Sequence, residues 1–314
     1  MKSHPFPFLD LEPPVSDFDT AAVAILPVPY EGGISYGQGT LHGPKDILKS
    51  SAYVELYDEY LNMEVCRMGI ATLESLSVPG DAESMITTVS ETVGNLLESG
   101  KFTVMIGGDH SITTGYLLAL KKHFKSFSII QLDAHADLRD SYENNSHSHA
   151  CTMARAREIT PHTLQLGIRS LSQEEATLIK NQNLKVVYMH ELRRHQADLR
   201  SMIEQLPDPV YITLDVDVFD WSVVRSTGTP EPGGFRWSEM MGLLELIFNS
   251  KQIVGFDVVE LSASSDDPTS SFAAARLIYR MLGFLLQAEL NNSNISFPDS
   301  PRGSIFSTIR NISK

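Results

Sequence analysis

The stretch Gln131-Leu-Asp-Ala-His-Ala-Asp137 sets Asp133, His135 and Asp137 at alternate positions. On an extended backbone alternate side chains share one face, so two carboxylates and an imidazole would converge on one point. Such a mixed set suits a divalent cation at an oxygen-rich site. The competing reading is a solvated turn after a strand. Asp215-Val-Asp217 repeats the spacing. His110 follows two glycines in Gly107-Gly108-Asp109-His110-Ser111, and Glu260 closes Asp257-Val-Val-Glu260. The set His110, Asp133, His135, Asp137, Asp215 and Asp217 is too large for one tetrahedral zinc. It suits two bridged divalent ions about 3.5–4 Å apart. Two dications would balance its carboxylates, which would otherwise repel one another. The donor types favour manganese over zinc, so two Mn2+ per chain are expected; nickel or cobalt is possible with the same donors.

Each cluster closes an apolar run. Residues 21–28, 102–106, 127–132, 163–168, 185–188, 210–214 and 253–259 read as strands. Helical patterns cover 44–60, 84–98, 112–124, 150–159, 173–182, 190–205, 237–248 and 271–289. This alternation predicts an α/β fold, a three-layer α/β/α sandwich around a mainly parallel sheet. Parallel strands put all the clusters on one side, at the carboxyl ends where open α/β sheets bind ligands. Residues 30–40 form a Gly-rich loop without the spacing of a phosphate-binding motif, expected to close over a pocket. Residues 219–235 form a long Pro/Gly-rich loop of the kind that is often functional. One domain over residues 1–314 is expected, with an extended Pro-rich arm over 1–20 and a polar tail over 291–314.

Composition limits the partners. The chain is 42% hydrophobic and 20% charged over 314 residues, enough for one large globular domain. A net charge of −14 argues against nucleic acid and anionic membrane surfaces and is compatible with a cationic substrate. Cys66 and Cys151 alone make no disulfide framework, so a reducing cytoplasm is expected. Met1-Lys-Ser-His-Pro-Phe-Pro lacks the apolar core of a signal peptide, and no run approaches a membrane span of about 20 residues.

Gly107-Gly-Asp-His-Ser111, Asp133-Ala-His-Ala-Asp137, Asp215-Val-Asp217 and Thr227-Gly-Thr-Pro-Glu-Pro-Gly-Gly together resemble the ureohydrolase (arginase/agmatinase) family. Their order and spacing match over about residues 22–290. The resemblance implies the three-layer fold, a binuclear manganese site, hydrolysis of a guanidinium group to urea and an amine, and a homotrimer or homohexamer. By motif match it implies that His110, Asp133, His135, Asp137, Asp215 and Asp217 are the metal ligands. His149 matches the catalytic histidine, with His147 as a nearby rival, and Glu260 matches the residue that pairs with the guanidinium. Thr229, in the last motif, would also line the substrate site. Asp137 or His149 would protonate the leaving amine. Asp220-Trp221 stands where the family usually has Asp-Pro, and His149-Ala150 where His-Gly is common. The pattern is most like the prokaryotic agmatinase branch.

The substrate's far end is read from charge. Ser170 and Ser172 stand where arginase-like members carry acids. Arg139 would grip a substrate carboxylate or pair with Asp140 or Glu143. Those acids, with Glu31 and Glu231, would make the pocket mouth negative and favour a small cationic guanidino substrate. The expected reaction is agmatine to putrescine and urea. The alternatives are aminopropylagmatine, a guanidino acid, arginine or formimidoylglutamate as substrate, or a metal-binding non-catalytic regulator.

Overall fold

The computed structural model describes residues 4–77, 80–264 and 266–293. Its elements in chain order are β1 (Val23–Val28), α1 (Gly43–Ser51), β2 (Tyr57–Asp58), β3 (Met63–Glu64), β4 (Ile70–Thr72), α2 (Ala82–Glu98), β5 (Phe102–Gly107), α3 (Thr113–His123) and β6 (Ser128–Leu132). They continue with α4 (Thr152–Ile159), β7 (Thr163–Ile168), α5 (Gln173–Gln182), β8 (Val186–Tyr188), α6 (Met189–Arg193), α7 (Leu199–Glu204), β9 (Val210–Asp215), α8 (Trp237–Ser250), β10 (Ile253–Val259) and α9 (Pro268–Ser293). Eight strands form one sheet in the order β4-β1-β5-β10-β9-β6-β7-β8. Every pairing in it is parallel.

The strands are apolar throughout because both sheet faces are covered. In β1, Val23 and Ile25 join the core under α1, α8 and α9, while Ala24 and Leu26 join the core under α2, α3 and α4. The period of two thus splits one strand between two hydrophobic layers. The three-layer architecture follows from that split.

Three departures from the sequence expectation have physical causes. The helix expected over 44–60 stops at Ser51, and β2 and β3 pair as an antiparallel ribbon. Asp58 holds that ribbon. It is fully buried, its Oδ1 accepts the N–H groups of Tyr60 and Leu61, and its Oδ2 meets Arg280 Nε at 2.7 Å. The helix expected over 190–205 breaks between α6 and α7, where His195 has a φ of 53° and Asp198 caps α7 through Ser201 N–H. The arm expected over 1–20 is docked rather than extended in its described part, from residue 4 onward. Phe8 has no exposed surface, its N–H donates to Thr72 Oγ1, and Leu9 N–H donates to Ser51 Oγ. Of the polar tail over 291–314, α9 takes the first residues, and 294–314 lie outside the described residues. Among the described residues no helix is long and apolar enough to cross a membrane.

Phe8→Ala is expected to lower unfolding free energy by about 3–5 kcal/mol in denaturant titration, as for other fully buried aromatics. A loss below about 1 kcal/mol would mean that the arm is dispensable to the core.

Candidate metal centre

The four strands that carry the clusters are neighbours in space: β5, β10, β9 and β6 lie side by side. Their carboxyl ends deliver His110, Glu260, Asp215 and Asp133 to one edge of the sheet. β6 ends at Leu132, but His135 still bridges Ser170 in parallel, and the chain turns away from the extended path at Asp137, which adopts a φ of 51°. β9 ends at Asp215, and Asp217 sits in a 3-10 turn where its N–H donates to Asp215 Oδ1 at 2.8 Å. The two turns meet where Ala134 N–H donates to Asp217 Oδ1 at 3.0 Å.

Two trios result, His110–Asp133–Asp137 and Asp133–His135–Asp217, each with its ligand atoms within 4.8 Å of one another. Asp133 belongs to both. Its Oδ2 lies 3.2 Å from His110 Nδ1, and its Oδ1 lies 3.8 Å from His135 Nδ1. His110 Nδ1 also faces Asp137 Oδ2 at 3.1 Å and Asp215 Oδ2 at 3.6 Å. His135 Nδ1 lies 2.8 Å from Asp217 Oδ2. All four aspartates are buried.

The tautomer of His110 tests whether this set fits a cation. Asp257, fully buried, accepts from Tyr211 Oη, Thr113 Oγ1 and Thr213 Oγ1, each at 2.7 Å. With its one proton given to Asp257, Thr213 accepts from His110 Nε2 at 2.8 Å. Nε2 therefore carries a proton, and it is the neutral, cation-binding form of the ring that turns an Nδ1 lone pair toward three carboxylates. Nδ1 makes no hydrogen bond, despite lying within 3.2 Å of two of their oxygens. Without a cation the carboxylates favour a second proton on this ring; a divalent ion among them would take that proton's place at Nδ1.

The titration of the groups tells the same story. Burial, then the charges of Asp137 and Asp217, push Asp133 up to about 7. Burial, then Asp217 and Asp133, raise Asp215 well above the carboxylate range. Burial would lower His110, but Asp133 and Asp137 draw it well above the usual imidazole value. The pocket demands positive charge, and the residues fit two cations sharing Asp133.

The Gly-rich loop roofs this centre. Asp109 Oδ2 accepts from Gly32 N–H at 2.6 Å and Gly33 N–H at 3.2 Å. Glu31 Oε1 accepts from Gly39 and Thr40 N–H, stapling the loop to itself. Ser35 Oγ lies 2.8 Å from His149 Nε2, and Tyr142 packs its ring edge-on to the same imidazole at 5.8 Å. Gly33 passes close to the same imidazole, since a Cβ there would lie 2.9 Å from His149 Nδ1. It is His149, rather than His147, that the structure joins to this loop through Ser35.

Glu260 has a φ of 65°, a strained conformation for a side-chain-bearing residue. Its N–H donates to Gly108 O, and its Oε1 accepts from His110 N–H at 2.7 Å. Oε2 points toward Gly228, where a Cβ would stand 3.5 Å away. Thr229, the next residue, is half-buried. Arg139 departs from expectation. Its Nε lies 4.0 Å from Glu175 Oε2 and its guanidinium stacks 5.6 Å from the Tyr142 ring, while Asp140 pairs with Arg155. Ser172 is occupied as the N-cap of α5. The sequence reading gave no role to Thr213 and Asp257. An aspartate inside the apolar run 253–259 was the available signal, since a buried carboxylate needs partners.

Comparisons with known proteins follow this geometry. The arginase family model matches residues 21–283. The chain is 37% identical to the N(1)-aminopropylagmatine ureohydrolase of Synechocystis sp., over 90% of this chain and 94% of that one. It is 31% identical to the agmatinase of Pyrococcus horikoshii, over 87% of this chain and 95% of that one. The crystal structure of agmatine ureohydrolase of Thermoplasma volcanium superposes with a TM-score of 0.81 at 28% identity, over 90% and 96% of the two chains.

Thr213→Val removes the acceptor that fixes the His110 tautomer and keeps the side chain's shape. Calorimetric titration of the chelator-stripped protein with Mn2+ is expected to show affinity reduced about 10–100-fold. Unchanged binding would mean that the Thr213–Asp257 relay does not prepare His110 for a cation.

Proposed function

Because the chain belongs to the arginase family and is a ureohydrolase of the agmatinase type, hydrolysing guanidino groups, we propose that it cleaves a linear guanidinoalkylamine to urea and the parent amine. We infer that His110, Asp133, His135, Asp137, Asp215 and Asp217 hold two manganese ions. The observation that carries this reading is Asp133, buried and shared by two His/Asp trios. Retention of the full donor set speaks against a non-catalytic regulator.

When bound, two divalent ions supply a water made nucleophilic near neutral pH. The chain's own residues do the rest. Glu260, with Oε1 anchored on His110 N–H, offers Oε2 to the guanidinium in a charge-assisted pairing. That fixes the guanidinium carbon against the nucleophile. Water adds to this carbon, and the bond to the chain nitrogen breaks. His149, held by Ser35, or Asp137 gives the departing amine its proton. The roof loop limits access of bulk water.

For the substrate, Arg139 is engaged by Glu175 and Tyr142, which leaves the acid-substrate reading without a dedicated carboxylate grip. A chain of net charge −14 suits a polycation. Agmatine, yielding putrescine, meets these terms. N(1)-aminopropylagmatine meets them with one more charge, and it is the substrate in the name of the 37% identical relative, which supports ranking it first. Two free, buried cysteines support a cytoplasmic setting. A homotrimer or homohexamer goes with this reading.

Comparing kcat/KM for N(1)-aminopropylagmatine, agmatine, arginine and 4-guanidinobutyrate on manganese-loaded protein tests this. The first is expected to lead, agmatine to follow, and chelation to abolish all turnover. Arginine or the acid in the lead would contradict the cationic-amine reading. Glu260→Gln is expected to lower kcat/KM by at least about tenfold, the scale of a charged hydrogen bond, at unchanged metal content. Unchanged kinetics would remove Glu260 from the site.

A further inference from the structure

We propose that Arg169 is a positioning residue that fixes the second of the two cation pockets, Asp133–His135–Asp217, and not the first. This rests on the binuclear reading above. β7 ends at Ile168, just after Gly167, whose φ of 97° carries the backbone close to the Asp133 turn. A Cβ on Gly167 would stand 3.0 Å from Asp133 O. Arg169 N–H then donates to Ala134 O at 2.8 Å, and Ser170 N–H to the same oxygen at 2.9 Å. The backbone of Arg169 is thereby tied to the turn that carries Asp133 and His135.

Its side chain is tied to the other turn. Nη2 donates to Asp217 O at 2.6 Å, to Phe219 O at 3.3 Å and to Glu231 O at 2.6 Å, and Nε donates to Pro232 O at 3.1 Å. One residue therefore joins the Asp133–His135 turn, the Asp217 turn and the far end of the long loop. All four acceptors are neutral carbonyls. Burial works against the Arg169 charge, while Asp217, Asp133, Glu231 and Asp215 favour it. Lysine cannot substitute, because a single ammonium lacks the fork that reaches several carbonyls at once.

The first pocket, His110–Asp133–Asp137, has supports of its own. Thr213 holds His110, Gln131 Nε2 donates to Asp133 Oδ2 at 2.7 Å, and Met153 and Ala154 N–H donate to Asp137 O. Only the second pocket straddles the joint that Arg169 closes. Arg193 offers a control. Its Nη2 donates to Gly234 O at 2.7 Å, on the same long loop but not at Asp217.

The experiment is a calorimetric titration of chelator-stripped, full-length protein with Mn2+, alongside circular dichroism to verify the fold. Wild type and Arg193→Gln are expected to bind two ions. Arg169→Gln is expected to keep one near wild-type affinity and to bind the second about 10–100-fold more weakly, the usual cost of losing a support behind a ligand. Should Arg169→Gln fail to fold, Arg169→Lys carries the same expectation. Two sites unchanged in the folded variant, or both weakened alike, overturn the proposal while leaving the binuclear reading standing. A wild-type chain that binds fewer than two ions overturns both.

Discussion

Four aspartates buried at one edge of the sheet are the constraint on which the rest of this structure depends. Carboxylates out of water and facing one another are unfavourable as anions, and burial together with the neighbouring carboxylates raises Asp133 and Asp215 well above their usual range. The surrounding fold supplies partial relief through N–H donors: Ala134 to Asp217, His135 to Asp133, and Asp217 to Asp215. Those donors are neutral, and the net negative charge remains for cations to complete. We read this set of buried, mutually repelling groups as a preorganised cation site.

The sheet order makes that arrangement possible. β10, late in the chain, inserts between β5 and β9, so Glu260 arrives beside His110. The guanidinium-pairing carboxylate assigned here is thus fastened to the backbone of a proposed metal ligand. Behind the site, Asp257 gathers hydroxyls from β9 and α3 and aims His110. In front, Asp109 and Ser35 pin the Gly-rich loop over His149. The residues proposed for substrate binding, proton delivery and cation binding therefore sit within networks of hydrogen bonds.

Much of this was legible in the sequence because apolar strand runs and the polar clusters closing them are local signals. The strands over 163–168 and 253–259 have the bounds read from pattern alone. What was not legible depends on contacts distant in the chain. The ribbon at β2 and β3 exists because Asp58 pairs with Arg280, and no local pattern announces that partner. Alternate spacing groups Asp133, His135 and Asp137, whereas in three dimensions they divide between two trios that share Asp133, because Asp137 leaves the extended path at a φ of 51°. Glu31 and Arg139 look like mouth residues by charge, and their partners, Gly39 and Glu175, are visible only in three dimensions.

The central claim is that Asp133 is shared between two cation pockets. Anomalous diffraction from crystals grown with Mn2+, recorded near the manganese edge, tests it most directly. The account predicts two anomalous peaks, one between Asp133 and His110 and one between Asp133 and His135. A single peak, or peaks that leave Asp133 without contact to either, would contradict it.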